Sequence, residues 1–346
     1  MSEKIRVLVI DDSAVVRQML TRELQKDASI EVVGTAPDPI VALSMIGRHR
    51  PNVLTLDVEM PRMDGITFLK KLMSTTPIPT IVLSSLTPQG SRTAIDAMAA
   101  GAVDVLCKPN GSYSIANLGV DLVSRVKLAS RARLWKRVET SQPLSVVALS
   151  ETTDKILAIG ASTGGVQALT EVLTRFPANA PGTLIVQHMP PRFTASFAER
   201  LNTICKVRVT EAKEGDSVIP GHVLIAPGGY HMVLKRSGAR YYVSITDGPT
   251  VHAVKPSVDV LFKTVAEVAG ANAIGAILTG MGCDGAAGLL AMRQAGARTM
   301  AQDESSCVVF GMPMEAIKIG AAEKIVPLDE IARTMIQWST SHRAVA

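Results

Sequence analysis

Aromatic side chains are scarce: Phe, Tyr and Trp together make up only 3% of the 346 residues. The cores must therefore be filled by Val, Ile, Leu, Ala and Met, and modules that bind nucleic acid by stacking bases on rings are disfavoured. Cysteine is sparse as well. Cys107, Cys205, Cys283 and Cys307 are widely scattered with no CxxC pair, which argues against a zinc site and a disulfide framework and suits a reducing compartment. Long apolar runs are missing: the N-terminal MSEKIRVLVIDD has no signal-peptide h-region, and no run reaches the length needed to span a bilayer. A cytoplasmic protein without membrane insertion is expected. The net charge of +5 is accounted for by a solvated basic face and does not require a polyanionic partner.

What is present is enough apolar material, 47% of the chain, for two domains with separate cores. From Arg6 to about Arg133, aliphatic runs alternate with amphipathic stretches: RVLVIDD, SAVVRQMLTRELQKD, EVVGTA, PIVALSMIGRH, VLTLD, TIVLSS, DVLCKP. This pattern predicts five βα units around a parallel sheet, assigned to residues 1–124. Residues 125–152 open on the basic RVKLASRARLWKR, lose their periodicity in VETSQPLSVVALSET, and read as a linker. A second alternation over 153–346 starts with ILAIG and TLIVQH and continues through AIGAILTG and RTMAQD, with amphipathic helices between. HVLIAPGGYHMVLKRSGARYYVSI interrupts it and reads as antiparallel hairpin strands. The second domain is thus expected to be a doubly wound, mainly parallel α/β structure with an antiparallel hairpin.

In open parallel sheets, ligands bind at the C-terminal strand ends. In the first domain that edge would collect Asp11 and Asp12, Asp57, Ser84 and Ser85, and Lys108. Three clustered carboxylates repel one another unless a cation offsets them, and such an oxygen-rich site suits Mg²⁺. Taken singly, an Asp at a strand end is more often a helix cap or a solvated loop residue.

In the second domain ILAIGASTGGVQAL runs a strand through a glycine-rich turn into a helix. A dinucleotide fingerprint would read GxGxxG, but Ser162 occupies the middle glycine position, and Gly160 to Gly164 instead fits GxSxG, the nucleophile elbow. On the motif alone, a nucleophile and a serine that caps the next helix both stand. A nucleophilic serine needs a base, and the base needs an orienting acid. His188 ends the strand TLIVQH, and Asp284 follows the strand AIGAILTG in LTGMGCDGAAGL, where capping the following helix is its other reading. The remaining histidines, including His222, His231 and His252 near the hairpin, are expected to be satisfied or solvated. Gly280, Gly282 and Gly285 suggest tight turning or close packing around Asp284.

The pattern IDDS, LDVEMPRMDG, LSS and KP resembles the receiver domain of bacterial response regulators. The resemblance implies a flavodoxin-like five-stranded sheet with Asp57 as phosphoacceptor. It further implies Asp11 and Asp12, with Asp57 and the backbone carbonyl of Glu59, as the Mg²⁺ site, Ser84 as switch hydroxyl, and Lys108 as contact to the phosphoryl oxygens. Receivers often carry an aromatic switch residue in the fifth strand, where this chain has Val105. IGASTGG, VQHMP and GMGCDG resemble the catalytic domain of the CheB family of chemotaxis protein-glutamate methylesterases. By that resemblance Ser162 is nucleophile, His188 general base and acid, and Asp284 the orienting acid; backbone N–H groups near the elbow, those of Thr163 and Met281, are the candidate oxyanion donors. It implies methylated chemoreceptors as substrate, the histidine kinase CheA as phosphodonor, activation by phosphorylation, no cofactor for ester hydrolysis, and, in some relatives, glutamine deamidation. The competing reading is a response regulator whose second domain binds DNA or docks without catalysis. No helix-turn-helix pattern supports the first form, and the second leaves Ser162, His188 and Asp284 unexplained.

Overall fold

The computed structural model describes residues 3–60, 65–108, 115–134 and 154–340. It divides into two compact units, residues 1–138 and 139–346.

The first unit is built on five strands, β1 (Ile5–Ile10), β2 (Ile30–Ala36), β3 (Val53–Asp57), β4 (Thr80–Ser84) and β5 (Asp104–Cys107). They lie in the order β2-β1-β3-β4-β5, all parallel. β3, β4 and β5 are buried along their whole length, which is why they read as continuous aliphatic runs without alternation. The intervening helices start where the sequence supplies caps. Ser13 caps α1 (Ala14–Leu24), Asp38 caps α2 (Pro39–His49), and Thr87 caps α4 (Pro88–Ala99), the last two with Pro at the first helical turn. α3 (Gly65–Thr75) packs against α4, and α1 against α5 (Ile115–Ala129).

α5 continues five residues beyond the boundary expected at 124. Leu122, Val126 and Ala129 form a buried stripe, so its last turns belong to the first unit's core. Two of its basic residues are neutralised internally, Arg125 by Asp104 and Lys127 by Asp27. The rest of the expected linker, residues 135–152, lies outside the described residues.

The second unit carries a seven-stranded sheet in the order β14-β13-β12-β6-β7-β9-β8, with every neighbouring pair parallel. Its strands are β6 (Ile156–Ala161), β7 (Gly182–Gln187), β8 (Arg208–Glu211), β9 (His222–Ile225), β12 (Ala273–Ile277), β13 (Arg298–Gln302) and β14 (Lys324–Val326). One helical layer contains α6 (Gly165–Thr174), α7 (Phe193–Ile204) and α11 (Leu328–Thr340), and another α8 (Val258–Ala269), α9 (Ala286–Gln294) and α10 (Met312–Lys318). The antiparallel pair β10 (His231–Ser237) and β11 (Arg240–Thr246) forms a separate hairpin that packs on α8.

The expected hairpin region is therefore only partly antiparallel. HVLI, β9, pairs in parallel with β7 and β8, and its Val223, Leu224 and Ile225 are buried; β10 and β11 leave the main sheet, although their Met232, Leu234 and Val243 pack into the same core as Leu224. The sheet winds in one direction from β6 to β7 and in the other from β6 to β12. Loops after β6 and β12 thus diverge at a topological switch point, the position where open α/β sheets bind ligands. If α5 belongs to the first unit, Leu122→Ala should destabilise that unit by about 2–5 kcal/mol, measured by urea unfolding, and leave the second unit's transition in place.

Candidate active site

At the switch point β6 ends at Ala161 opposite Gln187 of β7, so the next residues, Ser162 and His188, follow the ends of adjacent strands. The ladder extends one step further, with the His188 N–H donating to the Ala161 carbonyl at 3.0 Å. On the other flank the Ser162 N–H donates to the Thr279 carbonyl beyond β12, also at 3.0 Å. The serine turn is clamped from both sides. Thr279 Oγ1 donates to the Thr163 carbonyl (3.0 Å), and the buried Gln187 side-chain amide donates to the carbonyls of Ser162 (2.9 Å) and His188 (3.1 Å). Gly164, at φ 79°, turns the chain into α6, a conformation glycine adopts without penalty. Ser162 is not the N-cap of α6, which is Gly164, and its hydroxyl makes no hydrogen bond among the described residues. The capping reading therefore fails.

Asp284 does cap a helix, though not its own. α9 starts after Gly285, whereas the Asp284 carboxylate lies at the N-terminus of α8. Oδ2 accepts from the Val258 N–H (2.7 Å), and Oδ1 from the Asp259 N–H (3.2 Å) and the Ser257 hydroxyl (2.7 Å). Oδ2 also meets His188 Nε2 at 2.7 Å. Burial pushes the Asp284 carboxyl up, but the hydrogen bonds and charge of His188, with those of Ser257 and Val258, outweigh it and hold the group below the usual carboxylate range. An ionised acid at a helix N-terminus is favoured by the helix dipole as well. Because Nε2 donates to this carboxylate, Nδ1 is the ring nitrogen left to accept a proton.

Gly280 brings the loop after β12 against the serine. A Cβ there would lie 2.7 Å from Ser162 Cβ and 2.4 Å from Met312 Sδ, so a side chain at 280 would push the loop away. Of the proposed oxyanion donors, Thr163 is buried and Met281 is 47% exposed. The Met281 N–H makes no hydrogen bond among the described residues.

A further shell holds the acid. Buried His231 accepts the Ser257 N–H at Nδ1 (3.2 Å) and donates from Nε2 to the Pro249 carbonyl (2.9 Å), fixing the residue that bonds Asp284. His222 pairs with Thr210 (2.9 Å), and burial, with Arg208 nearby, lowers its pKa.

In the first unit the carboxylates of Asp11, Asp12 and Asp57 converge, with one oxygen from each within 4.8 Å of the others. Asp11 and Asp57 are fully buried. Lys108 Nζ lies 2.7 Å from Asp57 Oδ2 and 3.3 Å from Asp11 Oδ2. Burial would lower the Lys108 pKa, but the two carboxylates raise it. Burial and the neighbouring Asp57 together push Asp11 up despite Lys108. One ammonium against three carboxylates leaves uncompensated negative charge on hard oxygen donors, and a divalent cation such as Mg²⁺ fits that set. Ser84 Oγ lies 2.8 Å from the Gly90 carbonyl and 3.0 Å from Glu59 Oε1. Ser85 adds its N–H (3.1 Å) and hydroxyl (2.9 Å) to the same Glu59 oxygen. Burial raises the Glu59 pKa, yet these serine hydrogen bonds bring it below the usual value.

Two family models together match most of the chain. The family model for CheB methylesterase matches residues 157–335, and that for the response regulator receiver domain residues 7–118. A protein-glutamate methylesterase/protein-glutamine glutaminase of Syntrophus aciditrophicus is 58% identical, the match covering 96% of this chain and 99% of the relative. The chain belongs to the CheB methylesterase family. A protein of the same name from Anaeromyxobacter dehalogenans is 55% identical over 96% of this chain and 95% of its own. The solved CheB methylesterase catalytic domain of Thermotoga maritima superposes with a TM-score of 0.52 at 38% identity, covering 54% of this chain and 99% of that one.

Beyond the residues singled out from sequence, this CheB-family site depends on Gln187, Thr279, Ser257 and His231. Gln187 carried a signal, a polar amide closing an otherwise apolar buried strand directly before His188. The other three act through partners far away in sequence. Asp284→Ala should destabilise the second unit by about 3 kcal/mol, because it strands buried donors at the α8 terminus and the His188 ring. The sign of its pH dependence follows from the depressed pKa: the ionised cap stabilises the fold above the ordinary carboxylate value and loses that contribution as pH falls through the lower folded value. Urea unfolding of wild type and variant should therefore differ at neutral pH and converge in acid.

Proposed function

We propose that this chain is a protein-glutamate methylesterase that removes γ-methyl esters from chemoreceptor glutamates, and that phosphorylation of Asp57 raises its activity. The observation that carries the reading is the 2.7 Å contact of His188 Nε2 with a buried, ionised Asp284, at the sheet edge where Ser162 and His188 follow the ends of adjacent strands. Ser162 Oγ attacks the ester carbonyl carbon while His188 Nδ1 takes its proton, and Asp284 holds the tautomer and stabilises the imidazolium. The ring is used in the opposite sense to chymotrypsin, where Nε2 serves the serine. The N–H groups of Thr163 and Met281 receive the oxyanion. His188 then protonates the departing methoxide, methanol leaves, and water activated by the same nitrogen hydrolyses the acyl-serine to the free glutamate. With a glutamine amide in place of the ester the same steps release ammonia, so deamidation requires no further group.

In the first unit, Asp57 is the phosphoacceptor and the histidine kinase CheA the phosphodonor. Asp11, Asp12 and Asp57, with the backbone carbonyl of Glu59, would hold Mg²⁺, which when bound neutralises negative charge around the incoming phosphoryl group. Lys108 supplies positive charge to the phosphoryl oxygens, and Ser84 exchanges its present partners, Glu59 and Gly90, for one of those oxygens. The work takes place in the cytoplasm on the receptors' cytoplasmic helices. Among the described residues no helix is long and apolar enough to cross a membrane.

Ser162→Ala should lower methanol release from methylated receptor about 10⁴- to 10⁶-fold. A variant with near-normal turnover would show that the serine is not the nucleophile. Asp57→Asn should lose acid-labile labelling by a small phosphodonor and leave methanol release unresponsive to it, while basal release persists; undiminished labelling would place the phosphoacceptor elsewhere.

A further inference from the structure

The terminus of α8 that receives Asp284 also carries a second histidine–aspartate pair, and the esterase reading has no use for it. Buried Asp259, 1% exposed, accepts from His252 Nε2 at 3.0 Å and from the Gly288 N–H at 2.6 Å. With Nε2 so engaged, His252 Nδ1 is the acceptor, and 3.6 Å away lies Cys283 Sγ. The order is nucleophile, imidazole, buried carboxylate. The Asp284 carboxylate also lies close to this imidazole.

The four cysteines differ sharply in access. Cys107 and Cys307 are buried, Cys205 is half-buried, and Cys283 alone is exposed. Burial pushes the thiols of Cys107 and Cys205 up to about 11, which keeps them protonated and unreactive.

We propose that Cys283, served by His252 and Asp259, is a reactive thiol that takes peroxides and soft electrophiles. The sulfur transfers its proton to His252 Nδ1 and attacks one oxygen of hydrogen peroxide. The S–O bond forms as the O–O bond breaks, and the leaving hydroxide recovers the proton from His252 as water. Sulfur is oxidised to the sulfenic acid and peroxide is reduced. A small thiol then displaces water from the sulfenic acid to give a mixed disulfide. Its bulk stands on the loop between Met281 and Asp284, so esterase turnover is blocked until a reductant restores the thiol.

The test uses the full-length protein, pulsed with iodoacetamide and read by peptide mass mapping. Cys283 should be alkylated at pH 7 on the order of tenfold faster in wild type than in His252→Asn, and at similar rates at pH 10, where an ordinary thiol is ionised without help. Equal rates at pH 7 would overturn the proposal, and convergence at pH 10 guards against a misfolded variant. This readout is independent of the esterase reading. The second arm rests on that reading: peroxide with glutathione should abolish methanol release by wild type, reversibly with dithiothreitol, and spare Cys283→Ser. Equal loss in Cys283→Ser would refute the block at this residue.

Discussion

The second unit is organised around one buried carboxylate. Asp284 ends a helix that is remote in sequence, and the same oxygens that satisfy the first N–H groups of α8 orient His188. A charge removed from water costs several kcal/mol unless every lone pair finds a partner. Here Ser257, Val258, Asp259 and His188 supply four donors, enough to keep the group ionised at a buried position. Fold stability and the ring orientation of the histidine are therefore set by one group. Holding the imidazole requires holding α8, and that helix in turn carries the hairpin of β10 and β11 on its flank.

The first unit solves an analogous problem differently. Asp11 and Asp57 are as buried as Asp284, but each accepts one backbone N–H, from Ser13 and Glu59, and they share a single ammonium, that of Lys108. Asp284 is saturated with donors and Asp11 is not, which is why the pKa of one falls and that of the other rises. A saturated acid suits a fixed structural and orienting role. An under-compensated cluster suits a site meant to receive a further cation.

Much of this was legible in the residues, and for a physical reason. Strands buried on both faces, such as ILAIGA and GTLIVQ, must be aliphatic throughout, so their ends can be read, and the groups that follow a strand end in a parallel sheet share one edge. Ser162, His188 and Asp284 are of that kind, as are Asp11, Asp57, Ser84 and Lys108. Less legible were elements decided by packing alone. Four residues of HVLI suit a hairpin or a parallel strand equally, and only the vacancy between β7 and β8 decides. α10 and β14, of seven and three residues, are too short to show a period. The role of Asp284 as the cap of α8 was hidden because its partners Ser257 to Asp259 lie on a separate element. A local sequence pattern registers a cap only when the helix that follows is the one capped.

The strand order also bears on how the protein is made. β6 is the first strand of the second unit to leave the ribosome, yet one of its two sheet neighbours is β12, whose Ala273 pairs with Ile156, and the Thr279 clamp on the serine turn lies just beyond. Pairings between such distant segments form late, because the intervening chain must be ordered before they yield any gain. The first unit, with all its strands drawn from the opening third of the chain, has no such wait and can fold while synthesis continues. Assembly is thus sequential. The serine turn is completed only after the receiver unit has been synthesised.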